Sequence, residues 1–150
     1  MPKFSDYPVP VYTGALHVVS YYAHDSDGVW RDDMGKQVAP VRINFAGRYY
    51  LGVHSCGAEC RYFTLSDLST GRDSKALDMF STAEGEPLRT RDGRAYVTEL
   101  AGRSDSAILV ARYHIDGSAD LVSECRERVF LLSDDGRRVR PITPTRVECQ

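Results

Sequence analysis

The sequence predicts an all-β domain of antiparallel sheets, in a sandwich or propeller-like arrangement braced by disulfides, on three observations. Apolar residues recur mostly with a period of two, and no segment sustains a 3.6-residue period over three turns. Short turns rich in Gly and Asp separate the apolar runs. Four cysteines, Cys56, Cys60, Cys125 and Cys149, form an even set suited to pairing. The 150 residues match the length of one domain, and such a chain buries about 70% of the surface it exposes unfolded.

Taken in order, residues 1–10 (MPKFSDYPVP) carry three prolines and are expected to run extended over the surface. Val11 to Tyr22 is rich in Val, Tyr and Thr and reads as a strand. Asp25-Ser26-Asp27-Gly28 breaks it, and a long polar loop follows to Gln37. Val41, Ile43 and Phe45 alternate, which predicts a strand with those three side chains on one face. Ala46-Gly47 is a turn, after which Tyr49, Leu51 and Val53 share a face. Cys60 to Ser66 is the next strand, with Phe63 and Leu65 on one side and Tyr62 and Thr64 on the other.

Asp67 to Arg72 closes that strand as a turn in which Gly71 takes the positive φ. Residues 74–82 suit a short helix or an irregular strand. Glu84-Gly85-Glu86-Pro87 and Arg91-Asp92-Gly93-Arg94 read as turns, and Ala95 to Leu100 as a strand. Ala107 to Ile115 is a strand with Leu109, Ala111, Tyr113 and Ile115 on one face. Val129–Leu132, Ser133–Gly136 and Arg137–Ile142 form a hairpin, and Pro141 and Pro144 mark its last strand as an edge. The runs Phe63–Asp67 with Gly71-Arg72 and Phe130–Asp134 with Gly136-Arg137 repeat one pattern. A propeller blade needs about 40–50 residues, so this chain is too short for a ring of separate blades.

The formal net charge of −2 leaves no basic excess for a phosphate backbone, which argues against nucleic acid as a partner. No apolar run approaches the ~18–20 residues of a membrane helix. Met1-Pro2-Lys3-Phe4 lacks the apolar stretch of a secretory leader. The cysteines nevertheless favour an oxidising compartment, so the expectation is a periplasmic protein whose leader has been removed.

Cys56-Gly57-Ala58-Glu59-Cys60 is the most distinctive motif. Its spacing suits a disulfide that closes a tight loop between two strands, leaving Cys125 to pair with Cys149. Four cysteines allow three connectivities, and the other two stay open at this stage. A zinc site from His54, Cys56, Cys60 and Cys125 is the rival reading, disfavoured by the three-residue gap. Asp25, Asp27, Asp32 and Asp33 resemble calcium ligands, but Trp30 stands where the EF-hand loop requires glycine. His17, His24, His54 and His114 fall in no metalloprotease or nucleophile-elbow pattern, and no phosphate loop or dinucleotide fingerprint is present. No catalytic, cofactor-binding or metal-binding residue is therefore assigned. Tyr21, Tyr22 and Trp30 bracket the acidic loop, and Arg103, Ser104 and Asp105 lie in a loop between two strands. These six are the candidate partner contacts.

The stretch Asn44-Phe45-Ala46-Gly47-Arg48-Tyr49-Tyr50, followed by His54-Ser55-Cys56-Gly57-Ala58-Glu59-Cys60, resembles a family of small bacterial envelope proteins. These carry an Asn-Phe-Ala-Gly-His-Tyr strand and a Gly-Cys-Gly-x-x-Cys loop. Here Arg48 stands where His is usual and Ser55 where Gly is usual. The format also resembles the periplasmic immunity proteins of type VI secretion, which plug the active sites of cell-wall hydrolases. That resemblance implies a non-enzymatic inhibitor with a bacterial effector hydrolase as its protein partner. The alternative expectation is a small-molecule or glycan-binding module using Tyr21, Tyr22 and Trp30. A third is a hydrolase using His54 or His114 with a neighbouring carboxylate.

Overall fold

Turn chemistry and two-residue periodicity organise the described residues into ten strands in three antiparallel sheets. The structure, a computed structural model, describes residues 1–58, 60–82 and 86–149. The strands are β1 (Ala23–His24), β2 (Trp30–Arg31), β3 (Tyr49–Gly57), β4 (Cys60–Asp67) and β5 (Arg72–Ser74), then β6 (Leu88–Arg89), β7 (Ala95–Gly102), β8 (Ile108–Ile115), β9 (Glu124–Leu132) and β10 (Val139–Pro141). β1 pairs with β2, β3-β4-β5 form a second sheet, and β10-β9-β8-β7-β6 form a third. Together they make the curled half-barrel of an all-β protein.

The main core lies between the larger sheets. Tyr49 and Leu51 of β3 and Phe63 and Leu65 of β4 meet Leu109 and Ala111 of β8 and Phe130 and Leu132 of β9. A 3-10 turn at Asp78–Phe80 inserts Phe80 edge-on against Phe130, with ring centroids 5.1 Å apart. The reverse face of β3–β4 is also covered. There Tyr50 packs with Tyr22, Val38, Val41 and Leu68. The reverse face of β8–β9 buries Ile108, Val110 and Val129 beneath Phe4 and Ile142. Burial on both faces explains the unbroken apolar run Tyr49-Tyr50-Leu51.

Both predicted disulfides form, Cys56–Cys60 and Cys125–Cys149, with Cα atoms 5.1 and 5.5 Å apart. β10 sits at a sheet edge, where Pro141 interrupts no ladder on its outer side. The turn after β4 carries Gly71 at φ +77°, as the Asp-Leu-Ser-Thr-Gly sequence requires.

Two expectations are corrected. Val11–Tyr22 is not a strand. It runs irregularly past the end of the β3–β4 sheet, tied by the Tyr12 amide to the Gly47 carbonyl and the His17 amide to the Leu68 carbonyl. Its β-branched and aromatic residues lack a neighbouring strand in register, and propensity cannot supply one. Val41–Phe45 is not a strand with one face either. Val41 and Ile43 join the core behind β3–β4, whereas Phe45 enters the main core. The chain crosses the sheet edge at Asn44, whose side-chain amide accepts from the Leu51 N–H (2.7 Å) and donates to the Leu51 carbonyl (3.1 Å). Residues 74–82 combine the end of β5 with the 3-10 turn. In the expected Glu84–Pro87 turn, residues 84 and 85 lie outside the described residues, as does Glu59 of the Cys56–Cys60 loop.

Candidate functional site

The densest polar chemistry sits on the reverse face of β3–β4. Strand alternation sends Tyr49 and Leu51 to the main core and Tyr50, Gly52 and His54 to the other side. His54 pairs with Tyr62 and Gly52 with Thr64 across the β3–β4 ladder. The His54 ring stacks on Tyr62 with centroids 4.5 Å apart, and the near-parallel Tyr22 ring lies 5.8 Å away, its hydroxyl at Nε2. Asp32 follows β2 and opens a tight turn. One of its carboxylate oxygens accepts the Met34 and Lys36 amides, both at 3.0 Å, and the other lies 2.8 Å from His54 Nδ1. The side chains of His54 and Asp32 are 1% and 0% exposed, so this is a fully enclosed pair.

A carboxylate only accepts, so the Nδ1 proton of His54 belongs on the Asp32 side. His54 Nε2 then closes a triangle with two hydroxyls, 2.8 Å from Thr64 Oγ1 and 3.0 Å from Tyr22 Oη, which are themselves 2.7 Å apart. Burial pushes the Tyr22 phenol well above its ordinary range, so it stays protonated. Two hydroxyl protons serve one ring nitrogen and one oxygen acceptor, and every group is satisfied. Burial would raise the Asp32 carboxyl, but the hydrogen bonds from His54, Lys36 and Met34 outweigh it and hold the group below the usual carboxylate range. Gly52 makes the room. A Cβ there would lie 2.4 Å from Tyr22 Oη and 2.6 Å from Thr64 Oγ1.

The order carboxylate, imidazole, hydroxyl is that of an acyl-transfer relay. Here both hydroxyls on Nε2 are held by each other and the imidazole is enclosed, so the arrangement ties the β2 turn to the β3–β4 sheet. His114 has a different setting. It is 53% exposed, 3.1 Å from Glu99 Oε1. Arg112 also approaches Glu99 and bonds the buried Glu127 at 3.0 Å. These groups form a charge ladder across β7, β8 and β9.

Of the six candidate contacts, Tyr21, Tyr22 and Trp30 converge on the core behind β3–β4. Tyr22 is only 5% exposed with its hydroxyl engaged, so it belongs to the interior and not to a contact surface. Tyr21 is half-buried and donates to Asp73 at 2.6 Å; burial and that carboxylate push its phenol up to about 12. Trp30 is half-buried and stacks on the exposed His24 at 4.5 Å. Arg103, Ser104 and Asp105 belong to another surface, beside the N-terminal segment. Arg103 covers the Phe4 ring at 4.7 Å, and the Ser104 and Asp105 carbonyls accept the Gly47 and Val9 amides.

Sequence reasoning missed Asp32 as the partner of His54, since 22 residues separate them. The legible signal was Asp32-Asp33-Met34-Gly35, the same turn chemistry as Asp25–Gly28. It also missed an open cleft of about 320 Å³ between Phe80, Leu88, Tyr96, Thr98, Tyr113 and Arg126. Its strand residues were assigned to the core or left without a role. Among the described residues, no group of three or more His, Cys, Asp or Glu is placed to hold a metal ion. No helix among them is long and apolar enough to cross a membrane. In comparisons with known proteins, no family model, curated protein or solved structure matches the chain.

Proposed function

We propose that this chain is a non-catalytic binding protein of the bacterial periplasm, acting as an immunity protein that occludes the active site of a secreted cell-wall hydrolase. The observation that carries this reading is the anchoring of the β1–β2 hairpin. Asp32, directly after β2, is locked onto His54, so the hairpin stands on a rigid base. Asp25 caps the hairpin turn from within, accepting the Asp27 amide at 2.9 Å and the Val29 amide at 3.2 Å. The exposed rim therefore presents Asp25, Asp27 and Asp33 beside the stacked His24–Trp30 pair in one conformation.

Such a rim suits insertion into an enzyme cleft. A preorganised loop loses little entropy on binding, an indole supplies a large contact at low ordering cost, and acidic groups steer toward a basic partner. Two disulfides fit an oxidising compartment.

The test is a cell-wall turbidity assay with secreted bacterial peptidoglycan amidases as the candidate partner enzymes. The expected result is stoichiometric loss of hydrolysis and a one-to-one complex on size exclusion. The variant W30A combined with D25A and D27A should weaken inhibition at least tenfold. Full hydrolysis in the presence of excess protein, with no complex, would overturn the proposal.

A further inference from the structure

The inner face of the five-stranded sheet changes character along its length. Leu109 and Ala111 of β8 and Phe130 and Leu132 of β9 are packed in the main core. Two residues further along each strand in the same alternation come Tyr113 and Ile115 on β8, Thr98 and Tyr96 on β7, and, beyond Arg128, Arg126 on β9. These line the cleft of about 320 Å³, which Phe80 and Leu88 complete. Thr98 stands directly opposite Tyr113, and Tyr113 directly opposite Arg126. A hydroxyl, a phenol and a guanidinium thus form one row across three adjacent strands.

Two features of this row are unspent. Thr98 is only 5% exposed, yet its Oγ1 has no hydrogen-bond partner among the described residues. Buried hydroxyls are almost always paired, and one facing a cavity is the signature of a missing acceptor or donor. At the rim, Arg89 donates to the Gly93 carbonyl at 2.9 Å, and neither it nor Arg91 has a carboxylate within ion-pairing distance among the described residues. Arg126 shares Glu124 with Arg94. Two guanidinium groups that meet no carboxylate among the described residues therefore border a cleft with an aromatic and aliphatic wall. Tyr96 and Tyr113 meet edge to face at 5.7 Å, and burial raises both phenols, so both are neutral donors at physiological pH.

We propose that this cleft binds a small organic acid: a ring that carries a carboxylate and an oxygen substituent. The ring body lies against Tyr96, Tyr113 and Leu88, the substituent reaches Thr98 Oγ1, and the carboxylate meets Arg89 and Arg91. Apolar walls with a few convergent polar groups are the usual construction of a small-ligand site, and guanidinium groups match a carboxylate in bidentate geometry. This site is separate from the β1–β2 hairpin and does not depend on the inhibitor reading.

The chemistry is shared by hydroxylated aryl acids and by sugar acids, so the test uses one of each. The ¹⁵N-labelled protein is titrated with 4-hydroxybenzoate and with glucuronate, and separately with their uncharged methyl esters. Saturable amide shifts confined to residues around Tyr96, Thr98, Tyr113 and Arg126 are expected for at least one acid, and which acid binds identifies the source. The matching ester should bind at least tenfold more weakly, as should the acid to the double variant R89A with R91A. The near-isosteric T98V should weaken binding several-fold, while W30A leaves it unchanged. Absence of saturable shifts with both acids would overturn the proposal. So would an ester that binds as tightly as its acid, a comparison made on the unaltered chain.

Discussion

At the residue scale, His54 illustrates how a buried histidine is made inexpensive. Its ring stacks on Tyr62, and both nitrogens have partners. Replacing it by alanine would leave the Asp32 carboxylate buried without its Nδ1–H donor. H54A is therefore expected to lose about 2–4 kcal/mol in urea unfolding, from the unsatisfied carboxylate and the lost packing. Gly52→Ala is the sharper probe, because one methyl would displace the Tyr22–Thr64 hydroxyl pair. It should cost about 1–3 kcal/mol, and a variant as stable as the parent would refute the crowding argument. The sign of the acid response follows from Asp32. Its folded pKa lies below the ordinary value, so its stabilisation is present above that value and is lost as pH falls through the folded pKa. Urea midpoints measured from about pH 5 to about pH 2.5 should fall less steeply in D32N than in the parent.

At the scale of elements, hydrogen-bond registration decides what propensity cannot. Tyr49 to Gly57 and Cys60 to Asp67 form a long ladder because a short loop returns one directly beside the other. Val11–Tyr22 has comparable β-propensity but reaches only isolated carbonyls. Asn44 shows the opposite case, a side chain doing the work of a strand peptide at the edge of β3. Aspartate there would still accept from the Leu51 amide but could not donate to its carbonyl, and would place a charge against it. N44D should be destabilised by about 1–3 kcal/mol in urea unfolding.

At the scale of the whole molecule, the disulfides act at different ranges. Cys56–Cys60 closes a loop at the tip of one hairpin, whereas Cys125–Cys149 fastens the C-terminal segment to β9. That segment already follows β9 through the Ile142 amide to the Val129 carbonyl and the reciprocal Glu127–Arg146 backbone pair. With sequence separations of 4 and 24 residues, chain entropy assigns roughly 2 kcal/mol to the first closure and roughly 3 kcal/mol to the second. C125A with C149A should therefore lower the urea midpoint more than C56A with C60A. The reverse order would mean that the short loop fixes the register of β3 and β4 beyond its entropy.

The sequence alone was sufficient for the all-β class, the main strands β3, β4, β7 and β8, the favoured disulfide pairing among three possible ones, and the edge position of β10. Each of these depends on local information: alternation over a few residues, a glycine where a turn needs positive φ, or cysteines close enough to limit their choices. What required tertiary structure was the contact between distant segments. Asp32 finds His54, Tyr22 turns inward, and Thr98, Tyr113 and Arg126 align across three strands only once the ladders are in register. Periodicity says which side chains share a face of one strand. It does not say which face another segment will cover, and that choice separates a buried brace from an open cleft.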